Sequence, residues 1–285
     1  MSAYRRKPSV SGIFYSSDKE QLIGELKGCF TNKIFGPGRL PPSDKVRKIY
    51  GIVSPHAGYL YSGSVAANGY FSISSSQFNN VILVGPNHYG LGSHVATTMD
   101  GIWESPIGEV LVNPQVAKDI ASKASSMDVD EFAHSRDHCL EVQIPFLLYT
   151  FEKFRIIPII LTNQEEYVAL EVGSAISDTV KDRASKGEEF MLIASSDFTH
   201  YESNSEAHRK DSQLIKSILS LDISAFYSTL RQYNVSACGY GAIATIMVAS
   251  KNLGATQGEL IKYATSGDVT GDKSSVVGYS SILFV

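Results

Sequence analysis

The sequence has little cysteine, a single tryptophan and no long apolar run. Its 285 residues include three cysteines, Cys29, Cys139 and Cys238. An odd, widely spaced set argues against a disulfide framework and for a reducing, cytoplasmic compartment. No apolar stretch approaches the ~18 residues of a membrane-spanning helix. The N-terminus, MSAYRRKPSVSG, is basic, but no apolar signal core follows it. Strong net charge is also missing, at -4 with a pI near 6.0. That leaves no electrostatic footprint for nucleic acid or an anionic membrane surface. Low-complexity linkers and long repeats are absent. One domain is therefore expected over residues 11–285, after a flexible tail at residues 1–10. With 43% hydrophobic and 19% charged residues, the chain has the means to build a sizeable core.

What is present is one construction used three times. The run IYGIV at 49–53 has the length and β-branched content of a buried strand. Ser54 and Pro55 end it, and His56 follows. The run NVILV at 80–84 ends in Gly85-Pro86-Asn87 and then His88. The run FMLIA at 190–194 leads into SSDFTH, ending at His200. Three strands that each deliver a histidine at the carboxyl end point to one composite site, because ligands bind at that rim of an open α/β sheet.

Between these runs the pattern alternates strand and helix. Ser17 and Glu20 fit a capping box for a helix reaching to about residue 29. Residues 12–15 read as a short extended piece. Helices are expected near 64–71, from Pro114 onward, and over 138–150, 164–186, 204–221, 223–233 and 239–252. FRIIPIIL at 154–161 reads as a strand whose Pro158 marks an edge or a bulge. The last strands fall at 260–265 and 276–285. The alternation predicts a single-domain α/β fold with a central mixed, mostly parallel sheet flanked by helices.

His56 and His88 are the strongest pair, since imidazoles from adjacent strand ends can converge on one metal ion. The competing reading is that each fixes a turn. Tyr59 places an aromatic ring beside His56. Cys238 precedes a predicted helix, where the helix dipole lowers a thiol pKa and makes it a metal ligand or nucleophile; it could equally be a small packed residue. The stretch after it, Gly239-x-Gly241-x-x-Ala244, has dinucleotide spacing but lacks a buried strand before it, so no nucleotide cofactor is expected. His134, His138 and Glu141 have the spacing of a ligand-bearing helix face. Ser135-Arg136-Asp137 reads as a helix cap, however, which leaves His138 and Glu141 as polar groups beside the pocket. Asp197 and His200 place a carboxylate next to an imidazole, the arrangement of an oriented general acid/base.

At this point a resemblance enters. SPHAGYLYSG, GPNHYG, HCLEVQIPF, SSDFTHY, ACGYGAIA and VVGYSSI occur in the order seen in the Memo family, and Gly12-Ile13-Phe14-Tyr15 fits as well. The likeness spans residues 12–285. That family is similar in fold to the class III extradiol ring-cleaving dioxygenases, which hold ferrous iron with two histidines and a carboxylate. The resemblance implies His56, His88 and Cys238 as ligands to Fe2+, with Zn2+ or Cu+ as alternatives, and His200 as the pocket acid/base. The third ligand departs from the dioxygenase pattern, being a thiolate in place of a carboxylate. The implied function is an iron-dependent oxidoreductase acting on a small molecule. The alternatives are a non-catalytic module that binds a peptide or small ligand in a vestigial dioxygenase pocket, and a zinc hydrolase.

Overall fold

The three runs that end in histidine motifs lie near one another in one sheet. The computed structural model describes residues 4–44 and 47–285. Its strands are β1 (Arg5–Arg6), β2 (Gly51–Ser54), β3 (Asn80–Pro86), β4 (Val95–Thr97), β5 (Ile102–Ser105), β6 (Gly108–Val112), β7 (Asp128–Val129), β8 (Arg155–Leu161), β9 (Phe190–Ser195), β10 (His200–Glu202), β11 (Gly258–Thr265) and β12 (Val276–Phe284). The main path through the sheet runs β1-β5-β6-β8-β3-β9-β2-β12-β10. The central four, β8, β3, β9 and β2, are all parallel. β12 closes antiparallel on β2, and β11 on β12. The sheet is therefore mixed and parallel at its centre.

The helices are α1 (Lys19–Thr31), α2 (Ser64–Ile73), α3 (Pro114–Lys123), α4 (Gln143–Thr150), α5 (Glu166–Ala184), α6 (Asn204–Leu219), α7 (Ile223–Tyr233), α8 (Tyr240–Leu253) and the short α9 (Ser266–Thr270). Side chains alternate across each strand, and the two faces build two cores. Val53, Val84, Ile159 and Leu192 face α3, α5, α6, α7 and α8. Ile52, Leu83, Ile160 and Ile193 face α1, α2 and α4. With both faces covered, the central strands are apolar throughout rather than alternating. None of the described helices is long and apolar enough to cross a membrane.

Pro158 lies inside the sheet rather than at its edge. One side of β8 pairs with β3 along its whole length, including Leu83 opposite Pro158. The other side is shared, by β6 at Arg155–Ile156 and by β4 from Ile159 onward. Pro158 falls at the handover, where no neighbour needs its missing N–H.

Three local expectations are corrected. The segment expected to be a flexible tail is packed from residue 4 onward, and Met1 to Ala3 lie outside the described residues. Arg5 and Arg6 pair with Ile102 and Trp103. Arg6 is 1% exposed, its guanidinium 4.4 Å over the Trp103 ring and 2.8 Å from the Glu141 carboxylate. A carboxylate, two carbonyls and an aromatic face offset the desolvation that a basic sequence alone suggests is unaffordable. Residues 12–15 form a tight turn, not an extended piece, with Gly12 at φ +83° and its N–H donating to the Tyr15 carbonyl. The α1 cap is Asp18, one residue past Ser17, accepting from the Gln21 N–H at 2.9 Å.

Candidate metal centre

His56 and His88 each sit two residues beyond the end of their strands, β2 and β3. His138 joins them from a loop. The helix expected from residue 138 starts only at Gln143. Asp137 turns the chain there, accepting the Cys139 N–H at 2.9 Å, and His138 projects toward the strand ends. The three imidazoles lie with ring centroids 5.1 Å (His56–His88), 5.5 Å (His56–His138) and 4.6 Å (His88–His138) apart. One ligand nitrogen from each falls within 4.8 Å of the others. Cys238 approaches His56 from the loop before α8, its Sγ 3.1 Å from His56 Nε2, beside the three-histidine group rather than within it. Gly239 permits this approach, since a Cβ there would stand 2.5 Å from the Ser195 carbonyl.

The hydrogen bonds fix which nitrogens face the centre. The Ser195 hydroxyl donates to the Cys139 carbonyl at 2.6 Å and accepts from Gln143 Nε2 at 2.9 Å. Its remaining lone pair must accept from His56 Nδ1, 3.0 Å away. His56 therefore carries its proton on Nδ1 and presents a bare Nε2. The Asp137 carboxylate does the same for His88, lying 3.1 Å from Nδ1 and accepting the His88 backbone N–H at 2.6 Å. Orientation of a ligating imidazole through its other nitrogen is what metal sites use. Ser195, Gln143 and Asp137 were missed in the sequence, because they read there as a strand-end serine, a helix polar residue and a cap.

Electrostatics favour the neutral imidazoles that ligation requires. Burial, with the neighbouring His88 and His138, pushes His56 well below its ordinary value. Burial and His88 lower His138 to about 4. Burial works against the Asp137 carboxylate, yet the His88 bond and charge and the bonds from Cys139 together outweigh it and hold the group below the usual range. Cys238 differs from the expectation of a low pKa. Burial, with the Asp197 carboxylate adding to it, pushes the thiol well up, outweighing the helix terminus. It becomes a thiolate only if a cation displaces the proton.

The cluster opens into a cavity of about 800 Å³ lined also by Phe14, Tyr61, Asp197, His200, Tyr201 and Ser236. His200 follows β9 at the same rim. Asp197 does not orient it, contrary to expectation. Its Oδ1 accepts the His56 backbone N–H at 2.8 Å, and burial pushes its carboxyl up to about 6. Ser236 takes the orienting role, its carbonyl accepting from His200 Nδ1 at 2.9 Å and its hydroxyl from the His200 N–H at 2.8 Å. A carbonyl only accepts, so His200 also keeps Nε2 free. Two further residues expected at the pocket lie away from it. The Tyr59 ring packs on Phe146 at 5.0 Å, and its hydroxyl donates to the Val142 carbonyl. Tyr61 takes its place on the wall. Glu141 is 1% exposed and bonded to the N-terminal segment.

The family model described as "Memo-like protein" matches residues 6–283. The chain belongs to the Memo family. It is 50% identical over 281 residues to a MEMO1 family protein of Nitrosopumilus maritimus, covering 98% of this chain and 99% of that one. It is 44% identical over 282 residues to a MEMO1 family protein of Methanopyrus kandleri, covering 98% of each. A MEMO1 family protein of Thermotoga maritima is 41% identical over 284 residues, covering 98% of this chain and all of its own. His56, His88, His138, His200 and Cys238 all lie within the matched residues.

Proposed function

We propose that the protein is a metal-dependent oxidoreductase with a mononuclear non-heme centre that acts on a small molecule. The observation that carries the reading is the pair of fixed tautomers. His56 and His88 both carry their proton on Nδ1 and leave Nε2 bare, with Cys238 Sγ 3.1 Å from the His56 nitrogen. His56, His88 and His138 bring donor atoms within 4.8 Å of one another, and Cys238, 3.1 Å from His56 Nε2, would join His56 and His88 in holding the ion. Ferrous iron is the proposed ion, with Zn2+ or Cu+ as alternatives that the donor set also suits. When bound, iron would supply one-electron and dioxygen chemistry.

The chain's own groups divide the remaining work. His200 Nε2 is free to take a proton from substrate or return one, with Ser236 fixing the ring. Asp197 holds the loop that carries His56. Phe14, Tyr61 and Tyr201 wall the cavity. No lysine or arginine lines it among the described residues, which suits a neutral ligand better than a strongly anionic one. The three cysteines are unpaired, in keeping with a reducing, cytoplasmic setting.

A second reading is a module that binds a peptide or small ligand without turnover. The exposed Ile13 and Tyr201 at the mouth favour it, at 78% and 80% exposure. Anaerobic titration with ferrous ion separates the two. Wild type should bind one ion, His56→Ala and Cys238→Ser should bind more weakly, and His200→Ala should match wild type. Equal affinity in all four proteins, or none in any, would put the binding module first. Weakened binding in His200→Ala would move that residue into the ligand set. A strong preference for zinc over iron would favour the hydrolase alternative.

A further inference from the structure

The Arg6–Glu141 ion pair does not line the cavity, and both residues are 1% exposed. A buried pair is weak evidence for stability by itself. Its connections are more informative. Arg6 Nε donates to the His134 carbonyl at 2.9 Å and Nη2 to the Asp137 carbonyl at 2.5 Å. Those carbonyls bracket the loop that delivers Asp137 and His138. Glu141 Oε2 accepts from Arg6 Nη1, the Ser9 N–H and the Ser9 hydroxyl, at 2.7–2.8 Å. Its Oε1 accepts from the Val10 N–H at 3.0 Å and the Tyr15 hydroxyl at 2.8 Å. The segment so anchored carries Phe14. That ring packs on His138 with centroids 4.8 Å apart, and the Phe14 carbonyl accepts the Tyr59 N–H at 2.8 Å. His138 in turn stacks on His88, whose Nδ1 is held by Asp137.

We infer that Arg6 and Glu141 are a positioning pair for the histidine cluster. From one side they fix the loop bearing Asp137 and His138. From the other they fix the strap bearing Phe14. The N-terminal segment is then part of the site and not an appendage to it. The inference rests on reading the cluster as a metal centre, but the geometry it describes exists without the ion.

The chemistry of the pair makes it testable with near-isosteric changes. Glu141 faces five donors and offers none. Glutamine in its place would turn an NH2 group against an N–H or O–H. Arg6 spreads three bonds over three groups through a rigid fork, which a lysine ammonium cannot span. The probes are Co2+ titration and the ring 15N–1H signals of His88 and His138 in metal-free protein, for wild type, Glu141→Gln, Arg6→Lys and Phe14→Ala. Ile218→Ala, which loosens the core on the opposite face of the sheet, is the control for general destabilisation.

Glu141→Gln and Arg6→Lys should weaken Co2+ binding about 10–100-fold, as loss of outer partners typically does. Both should shift the His88 and His138 ring signals. Phe14→Ala should shift those of His138, and Ile218→Ala should shift neither. Unchanged ring signals in folded Glu141→Gln or Arg6→Lys would overturn the inference. Should neither fold, unchanged His138 signals in Phe14→Ala would do so. Failure of wild type to bind Co2+ would defeat the metal reading alone, since the ring signals report positioning independently.

Discussion

Asp137→Asn is the sharpest probe of the centre. The carboxylate is 3% exposed and accepts three hydrogen bonds, from the His88 N–H at 2.6 Å, His88 Nδ1 at 3.1 Å and the Cys139 N–H at 2.9 Å. Asparagine has the same shape but one acceptor oxygen. Whichever way the amide sits, its NH2 meets at least one of those donors. With the NH2 at the Oδ1 position, the clash with His88 is relieved if His88 moves its proton to Nε2 and lets Nδ1 accept from the amide, and the Cys139 N–H loses its acceptor. That tautomer removes the lone pair the ion would use. Loss of such an outer partner costs about 10–100-fold in metal affinity, or about 1.4–2.7 kcal/mol. Loss of charge-assisted bonds should also destabilise the metal-free fold by about 1.5–3 kcal/mol. The assays are Co2+ titration followed by visible absorbance, and urea unfolding of metal-free protein. A folded Asp137→Asn protein that binds Co2+ within about twofold of wild type would refute the tautomer argument.

Acid should weaken the metal-free protein in a defined window. Burial lowers His56, takes His138 down to about 4 and takes His134, with neighbouring Arg6, down to about 3. Below about pH 6.5 the unfolded chain binds protons at these positions that the folded chain refuses, so stability falls as pH drops from about 6.5 toward 4. Asp197, raised to about 6, and Asp211, raised by burial, oppose this above their unfolded values, but they are two groups against three. A urea midpoint that rises between pH 6.5 and 4.5 would show that the imidazoles are not buried neutral. Gly239→Ala should cost roughly 1–3 kcal/mol and weaken metal binding, because its Cβ would press on Ser195 O at 2.5 Å and Ser196 Cβ at 2.9 Å. A variant with wild-type urea midpoint and Co2+ affinity would mean that the Cys238 loop relaxes freely.

The sheet was legible because its strands are buried on both faces. IYGIV, NVILV and FMLIA announce themselves by unbroken apolar content, and the proline or serine after each marks its end. His56, His88 and His200 could be placed on one rim from that alone, since parallel neighbours all point their carboxyl ends the same way. Long-range pairing was not legible. Nothing near Arg6 in the chain foretells Glu141, 135 residues away, so a buried strap read as a solvated tail. Likewise Asp197 stands three residues from His200 yet serves His56, because the chain turns between them and brings Ser236 to the ring instead. Pro158 shows the same limit, as a missing N–H is harmless only where two neighbouring strands change over, and pairing decides where that is. Residue type and local period determined which groups carry the chemistry. The donors and acceptors that set each imidazole's tautomer come from separate strands and loops, so only the tertiary structure decided how those groups are held.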